Sequence, residues 1–232
     1  MLKKIVFISV SFLISLTSLN AQTFGKYAGE FMAIGIGGRP LGMGGAFTGI
    51  ADDVTSGYYN PAGLANVNYP QLALMHSEQF GNLVNYDYGA VGIPFEDDMS
   101  FGLSVMRLGV DGIPDTRGAL YDANGDGIID ISDDRLDYSR ITEFSNQDWA
   151  FYLTFAKRQT EDFYWGINAK IIRRDLAEFG ATGIGFDVGA YYTPMENLYL
   201  GANLQDATTT LVAWSTGRNE LVSPTLKVGG AY

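Results

Sequence analysis

The sequence predicts an all-β protein: an antiparallel, up-and-down transmembrane β-barrel of about eight strands, preceded by a hatch segment. Apolar and polar residues alternate repeatedly from residue 69 onward. The chain is also rich in glycine, tyrosine and phenylalanine, with 29, 14 and 14 copies. Aromatic residues favour strands, and glycine favours tight turns. No apolar stretch after residue 21 is long enough for a membrane helix, so a membrane-embedded chain would cross with strands.

Residues 1–21 have the layout of a secretory signal peptide. Lys3 and Lys4 precede an apolar run over 5–19, and Ala21 is a small residue at the predicted cleavage point. A transmembrane anchor is the alternative, but this apolar run is short for a membrane span. The mature chain is therefore expected to begin at Gln22.

The composition excludes several classes of protein. The chain has no cysteine, which excludes an N-terminal lipid anchor, disulfides and thiolate metal sites. Its formal net charge of −11 repels phosphate backbones, so no nucleic-acid partner is expected. His76 is the only histidine, and neither a nucleophile elbow nor a phosphate loop is present. The sequence therefore predicts that the protein is not an enzyme.

The predicted strands follow from period-two alternation. They cover residues 69–79, 85–94, 99–108, 148–157, 163–173, 183–193, 198–206 and 222–232. The connections after the second, fourth and sixth strands are short, whereas those after the third, fifth and seventh are longer. Such alternation of short turns and longer loops is typical of outer-membrane barrels. The Greek-key connections of a soluble sandwich would not alternate regularly between short and long. Asn168, Lys170 and Asp187 lie on polar faces, where we expect them to line the lumen or brace the hatch.

Residues 22–68, ahead of the barrel at 69–232, are glycine-rich and moderately apolar. The positions of interest are Gly42, Gly44, Gly45, Asp52, Asp53, Asn60 and Pro61. Taken singly, they could serve only as tight bends, a helix cap and an ordinary turn. The glycines also lack the third glycine of a dinucleotide-binding fingerprint.

Taken together, these positions resemble a known signature. Residues 37–65 contain Arg39, then LGMGGA, ADD and YNPAGL in that order. This order is similar to the N-terminal signature of the PorV/PorQ family, in the wider group of outer-membrane proteins similar to the long-chain fatty-acid transporter FadL. The resemblance implies a hatch, formed by residues 22–68, inside a barrel of about fourteen strands.

The strand count departs from that family. An eight-stranded barrel is filled by its own side chains and leaves no room for a hatch. We therefore expect the sequence to be C-terminally truncated. The alternative is a complete small barrel whose closing strand ends in the aromatic residue Tyr232.

The resemblance implies an outer-membrane component associated with type IX secretion, which accepts or shuttles secreted cargo. A FadL-like transporter of hydrophobic small molecules is the alternative, and a soluble or surface-attached calcium-binding β-protein is a third reading. The expected partners are outer-membrane lipid together with secretion components and cargo, or a hydrophobic solute.

The connection at 109–147, expected on the extracellular side, contains an EF-hand-like loop with the sequence DANGDGIIDISD. The predicted calcium ligands are Asp122, Asn124, Asp126, Ile128 through its carbonyl, Asp130 and Asp133. Gly127 permits the sharp turn, and aspartate replaces the usual final glutamate, as in dockerin loops, which this stretch resembles. The alternative is an acidic surface turn with chance spacing. Calcium would bind weakly, with a Kd of about 10⁻⁴ to 10⁻³ M, and would have a structural role.

Overall fold

A computed structural model describes residues 28–129, 132 and 134–232. The predicted signal peptide therefore lies outside the described residues. The described strands are β1 (Gln71–Gln79), β2 (Val84–Phe95), β3 (Met99–Asp115), β4 (Leu120–Tyr121), β5 (Arg135–Leu136), β6 (Thr142–Arg158), β7 (Phe163–Leu176), β8 (Phe179–Met195), β9 (Leu198–Gln205), β10 (Thr210–Trp214), β11 (Asn219–Val222) and β12 (Thr225–Ala231). The chain is thus mainly β, as predicted.

Helical structure in the described residues is confined to short turns. The α-helical turns are Gly38–Gly42 and Ser56–Tyr59, and the 3-10 turns are Glu30–Ala33, Pro61–Asn66 and Tyr138–Arg140. None of these described helices combines the length and the apolar character that a membrane span requires.

One large antiparallel sheet contains ten of the described strands, and β4 and β5 form a separate hairpin. Eight strands of the large sheet pair in the order β1, β2, β3, β6, β7, β8, β9, β12. The β10–β11 hairpin pairs with the first half of β8. Within the described part of the chain no ladder joins β1 to β12, so this sheet is open. The all-β antiparallel prediction is confirmed at this level.

The strands extend further than predicted on one side of the sheet. The connection after the predicted fifth strand is not a longer loop, because β7 and β8 stay paired as far as Leu176 and Phe179 and leave a two-residue turn. The connection predicted at 109–147 is shortened to 116–141, since β3 resumes pairing with β6 after an irregularity between Val110 and Ile113. Polar residues occupy both faces of these extensions, so the period-two pattern fades there.

The two faces of the large sheet reverse the usual distribution of polarity. Large apolar side chains are exposed along one face: Leu72, Leu74, Phe101, Leu103, Leu153, Ile171, Ile184, Phe186, Val188, Leu226 and Val228. Polar side chains are buried on the other: Ser100, Ser104, Thr154, Asn168, Lys170, Asp187 and Asn203. We call these the outer and the inner face.

The inner face is covered by the hatch segment, defined as residues 28–68. Its apolar side chains enter one core with inward residues of the strands, including Phe31, Ile36, Phe47, Tyr86 and Met106. Tyrosine hydroxyls tie this core to the hatch backbone. Tyr58 donates to the Met32 carbonyl at 2.5 Å, and Tyr59 donates to the Ile36 carbonyl at 2.8 Å. Burial raises the pKa of both phenols, so they remain donors.

Glycines on the strands let the hatch backbone approach the sheet closely. A Cβ at Gly201 would overlap the carbonyl oxygen of Thr48, and one at Gly166 would lie 2.5 Å from the Pro61 carbonyl carbon. A Cβ on the hatch residue Gly49 would likewise lie 2.8 Å from the Gly229 carbonyl carbon. The glycine content of the strands is therefore explained in part by a second layer of backbone.

We expect Gly201→Ala to lower the free energy of unfolding by about 1–3 kcal/mol, because overpacking separates two tightly apposed backbones. The measurement is urea unfolding of protein folded in detergent micelles. Gly118→Ala is the control, since open space surrounds that position and its change should stay within about 0.5 kcal/mol. Equal effects at the two sites would contradict the close approach.

Candidate functional site at the interface of hatch and sheet

Three side-chain amides of the sheet bind the backbone of the hatch helix Ser56–Tyr59. Asn168 Nδ2 donates to the Gly57 carbonyl at 2.6 Å. Gln205 Nε2 donates to the Tyr58 carbonyl at 3.2 Å, and Asn203 Nδ2 donates to the Tyr59 carbonyl at 2.9 Å. The last carbonyls of a helix have no partner inside the helix. The amides therefore complete this helix from outside.

The remaining carbonyl of that helix, on Ser56, accepts from the backbone N–H of Asn60 at 2.8 Å. Asn60 is itself fully buried and bridges three segments. Its Nδ2 donates to the Thr48 carbonyl at 2.9 Å and to the Ala190 carbonyl at 3.0 Å, while its Oδ1 accepts from Ala62 N at 3.2 Å. Asn60 thus caps the turn Pro61–Asn66 and anchors it to β8.

A buried ion network lies next to these amides. Lys170 Nζ lies 2.8 Å from Asp187 Oδ1 and 2.6 Å from Asp206 Oδ1, and the three residues are at most 6% exposed. Asp187 Oδ1 also accepts from the backbone N–H of Asp206 at 2.8 Å, and the Thr210 hydroxyl donates to Asp206. Buried charges persist only when they are paired and hydrogen-bonded in this way.

Asn168 joins the ion network to the hatch. Its Oδ1 accepts from the Thr154 hydroxyl at 2.8 Å, which leaves Nδ2 to face Gly57 and Asp187. The bond from Nδ2 to Asp187 Oδ2 is 3.1 Å long. Of the three residues expected to line the lumen or brace the hatch, Asn168 contacts the hatch directly, and Asp187 and Lys170 are connected to it through Asn168.

The residues of the predicted hatch motif lie in three places: at the interface with the sheet, beside Arg39, and in an exposed stretch that contains the motif glycines. Asn60 and Pro61 lie at the interface, and a Cβ on Gly189 would overlap Asn60. Asp52 and Asp53 contact Arg39 at 2.5 and 3.5 Å on the exposed side, which raises the pKa of that guanidinium. Asp53 also accepts from Thr55 N at 2.8 Å.

The motif glycines lie on the exposed side. Gly44 and Gly45 adopt φ values of 64° and 80°, which favour glycine. Nothing in the structure requires glycine at Gly42, which has open space around its Cβ position.

Sequence reasoning missed part of the site. Asn203, Gln205 and Asp206 end the strand predicted at 198–206, and Thr210 follows it. The available signal was the alternation itself, since Asn203 and Gln205 share the polar face of that strand. Nothing in the spacing, however, indicated that their partners would be hatch carbonyls.

The described part of the EF-hand-like loop is folded around its own carboxylates. Asp122 accepts from the N–H groups of Gly125 and Gly127 at 2.5 and 2.8 Å. Asp126 Oδ1 accepts from Ile128 N at 2.8 Å, and Asn124 Oδ1 accepts from Asp126 N at 2.9 Å. The other two predicted ligands, at positions 130 and 133, lie outside the described residues. Among those described, no cluster of three or more acidic, histidine or cysteine side chains is positioned to hold a metal.

Two further polar groups lie away from this interface. In the described residues the ring nitrogens of His76 contact carboxylates, Asp87 at 2.6 Å and Glu78 at 3.4 Å. On the loop side, Arg117 binds Glu178 at 2.7 Å, joining the 116–141 connection to the turn between β7 and β8. The guanidinium holds the pKa of Glu178 below its usual range.

Comparison with protein families gave one match. The model of an uncharacterised protein family, UPF0164, matches residues 8–111. That range includes the motif at 37–65, β1, β2 and most of β3, but it is less than half of the chain. Its description carries no link to PorV/PorQ or FadL, so that resemblance stays a prediction. Comparison with curated proteins gave no match.

We expect Lys170→Met to lower the free energy of unfolding by about 3–5 kcal/mol, because it leaves two carboxylates buried without their cation. Urea unfolding in micelles measures the loss. The matched control is Lys157→Met, whose partner Asp98 lies 3.3 Å away in a partly exposed pair and whose removal should cost about 0–1 kcal/mol. A loss at Lys170 as small as the control's would contradict a structural role for the network.

Proposed function

We propose that this chain forms part of the wall, and the hatch, of an outer-membrane β-barrel of PorV/PorQ type that takes part in type IX secretion. It would accept or shuttle cargo without performing chemistry. The observation that carries the proposal is the inverted sheet, with an apolar outer face and a polar inner face. A soluble monomer rarely exposes so large a contiguous apolar surface.

The dimensions of the outer face support a membrane location. Outward positions of β7 run from Phe163 to Ile171, which is about 26 Å along a strand at about 3.3 Å per residue. A tilted transmembrane β-strand crosses the hydrocarbon core with about 9–11 residues, and this stretch falls in that range. The outer face therefore suits contact with lipid acyl chains.

Aromatic rings follow one border of the outer face. On the outer face the ring centroids of Phe95 and Phe101 are 5.9 Å apart, those of Phe101 and Phe155 are 5.3 Å apart, and those of Phe155 and Trp165 are 5.6 Å apart. These residues lie near the short turns at 96–98 and 159–162. A girdle of aromatic side chains is typical of the boundary between lipid and water.

The secretion role depends on the resemblance at residues 37–65. The position of the hatch segment against the inner face supports it, since the resemblance implies a hatch inside the barrel.

One observation favours the FadL-like alternative. A groove of about 310 Å³ on the outer face is bordered by apolar residues of β1, β2, β3 and β6, including Leu72, Leu74, Leu103 and Phe151. A groove of this chemistry suits one apolar chain of a solute leaving sideways into lipid. Under this alternative the protein would carry hydrophobic small molecules across the outer membrane.

The test is a deletion strain complemented with variants. We expect deletion to abolish release of proteins that bear the type IX sorting domain, and wild type to restore it. Leu153→Arg should fail, because a charge at the centre of the apolar face costs about 2–4 kcal/mol in lipid. Outer-membrane fractionation and heat-modifiable gel mobility report the assembly of each variant.

Leu136→Arg is the matched control, since Leu136 is exposed on β5 in the loop region. It should assemble and complement. Intact secretion with lost uptake of a labelled fatty acid would support the transporter instead. Recovery of wild type as a water-soluble monomer would remove both proposals.

We also propose that the loop at 122–133 binds calcium in a structural role. The hydrogen bonds that Asp122 and Asp126 accept already curve the backbone around their carboxylates. In isothermal titration of the full chain, wild type should bind one calcium ion with a Kd of about 10⁻⁴ to 10⁻³ M. Asp126→Ala should abolish the heat signal, whereas Asp97→Ala, in another exposed turn, should keep it. Equal binding by both variants would exclude this site.

A further inference from the structure

The hatch segment is attached to the sheet in an unusual way. Among the described residues, no hydrogen bond between main-chain groups joins residues 28–68 to any strand. The polar connections run instead through side chains such as Asn168, Asn203, Gln205 and Asn60. The hatch could therefore leave the inner face without disturbing any ladder of the sheet.

Asn168 differs from the other amides in being held by two neighbours of opposite character. The Thr154 hydroxyl donates to its Oδ1, and Asp187 accepts from its Nδ2. These two bonds fix the orientation of the amide, so that Nδ2 faces the Gly57 carbonyl at 2.6 Å. This is the shortest of the three amide bonds to the hatch helix.

The ion network determines which oxygen of Asp187 faces Asn168. Asp187 Oδ1 is bound by Lys170 Nζ at 2.8 Å and by the backbone N–H of Asp206 at 2.8 Å. The other oxygen, Oδ2, accepts from Asn168 Nδ2 at 3.1 Å, so Asp187 holds the donor side of that amide. The ion pair between Lys170 on β7 and Asp187 on β8 is thus connected to the hatch through the side chain of Asn168.

We infer that Asn168 is a positioning residue that latches the hatch segment to the sheet, and that loss of its bond to the Gly57 carbonyl releases the hatch from the inner face. This inference rests on the proposed function, in which the hatch closes the lumen. The latch would set how readily the lumen opens.

The experiment uses a single reporter cysteine, because the chain has none of its own. Ser56→Cys places a thiol at a position that is 0% exposed, on the hatch helix itself. The rate of its reaction with a water-soluble maleimide, on protein in detergent micelles, reports departure of the hatch. Thr48→Cys, 7% exposed, is a second reporter on another hatch turn.

We expect Asn168→Ala to speed labelling at both reporters about tenfold, as expected for loss of one buried hydrogen bond. Asn168→Leu should speed it at least as much, because leucine keeps a similar side-chain volume but cannot donate to the Gly57 carbonyl. The control Asn219→Ala removes an exposed asparagine on β11 and should leave the rate unchanged. Circular dichroism and heat-modifiable mobility should show an intact sheet in every variant.

Unchanged labelling in Asn168→Ala, with the sheet intact, would overturn the latch. Clearly slower labelling in Asn168→Leu than in Asn168→Ala would also overturn it, since only a packing role predicts that order. Neither outcome affects the fractionation test of membrane location. Conversely, a water-soluble wild type would remove the proposed function while leaving the labelling rates interpretable.

Discussion

The structure depends on the hydrogen bonds that the inner face makes to a segment without regular pairing of its own. A buried backbone must satisfy its carbonyls, and the short helix Ser56–Tyr59 cannot do so internally. Asn168, Asn203 and Gln205 supply the missing donors from two strands. The polarity of the inner face therefore follows from what lies against it.

The same requirement explains the composition of the strands. Amides and hydroxyls serve the hatch backbone where it comes within hydrogen-bond reach, and glycines occur where it comes closer still. Gly166, Gly189 and Gly201 would each overlap or crowd the hatch if they carried a Cβ. On the outer face, no described segment packs in this way, and large apolar residues such as Leu103 and Leu153 lie exposed there. One strand thus carries two unrelated sequence requirements on its two sides.

Much of the sheet could be predicted from the sequence, because period-two alternation depends on one face being apolar. The prediction weakened where that condition ended. The extension of β7 and β8 to Leu176 and Phe179 carries polar residues on both sides, such as Arg173 and Arg174, so the alternation predicts a loop there. The hairpin β10–β11 is too short to show a period.

The candidate site was predictable only in part. Polar residues on the inner face, such as Asn168 and Lys170, could be assigned to a lumen or a brace. Their partners could not, since the Gly57 carbonyl is 111 positions away in sequence and leaves no mark in the side-chain pattern. The signature around Asn60 indicated a hatch through resemblance, but it did not reveal that Asn60 bridges Thr48 and Ala190.

The distance in sequence across this interface has a consequence for assembly. Tyr59 meets Asn203 at a separation of 144 residues, and Tyr58 meets Gln205 at 147. Contacts between residues so far apart in sequence form late and slowly, because the long intervening segment must first be closed into a loop. The hatch leaves the ribosome early, yet its binding surface is complete only after β9 has joined the sheet. Until then its apolar side chains have no cover, and it is during this interval that the chain is most prone to aggregate.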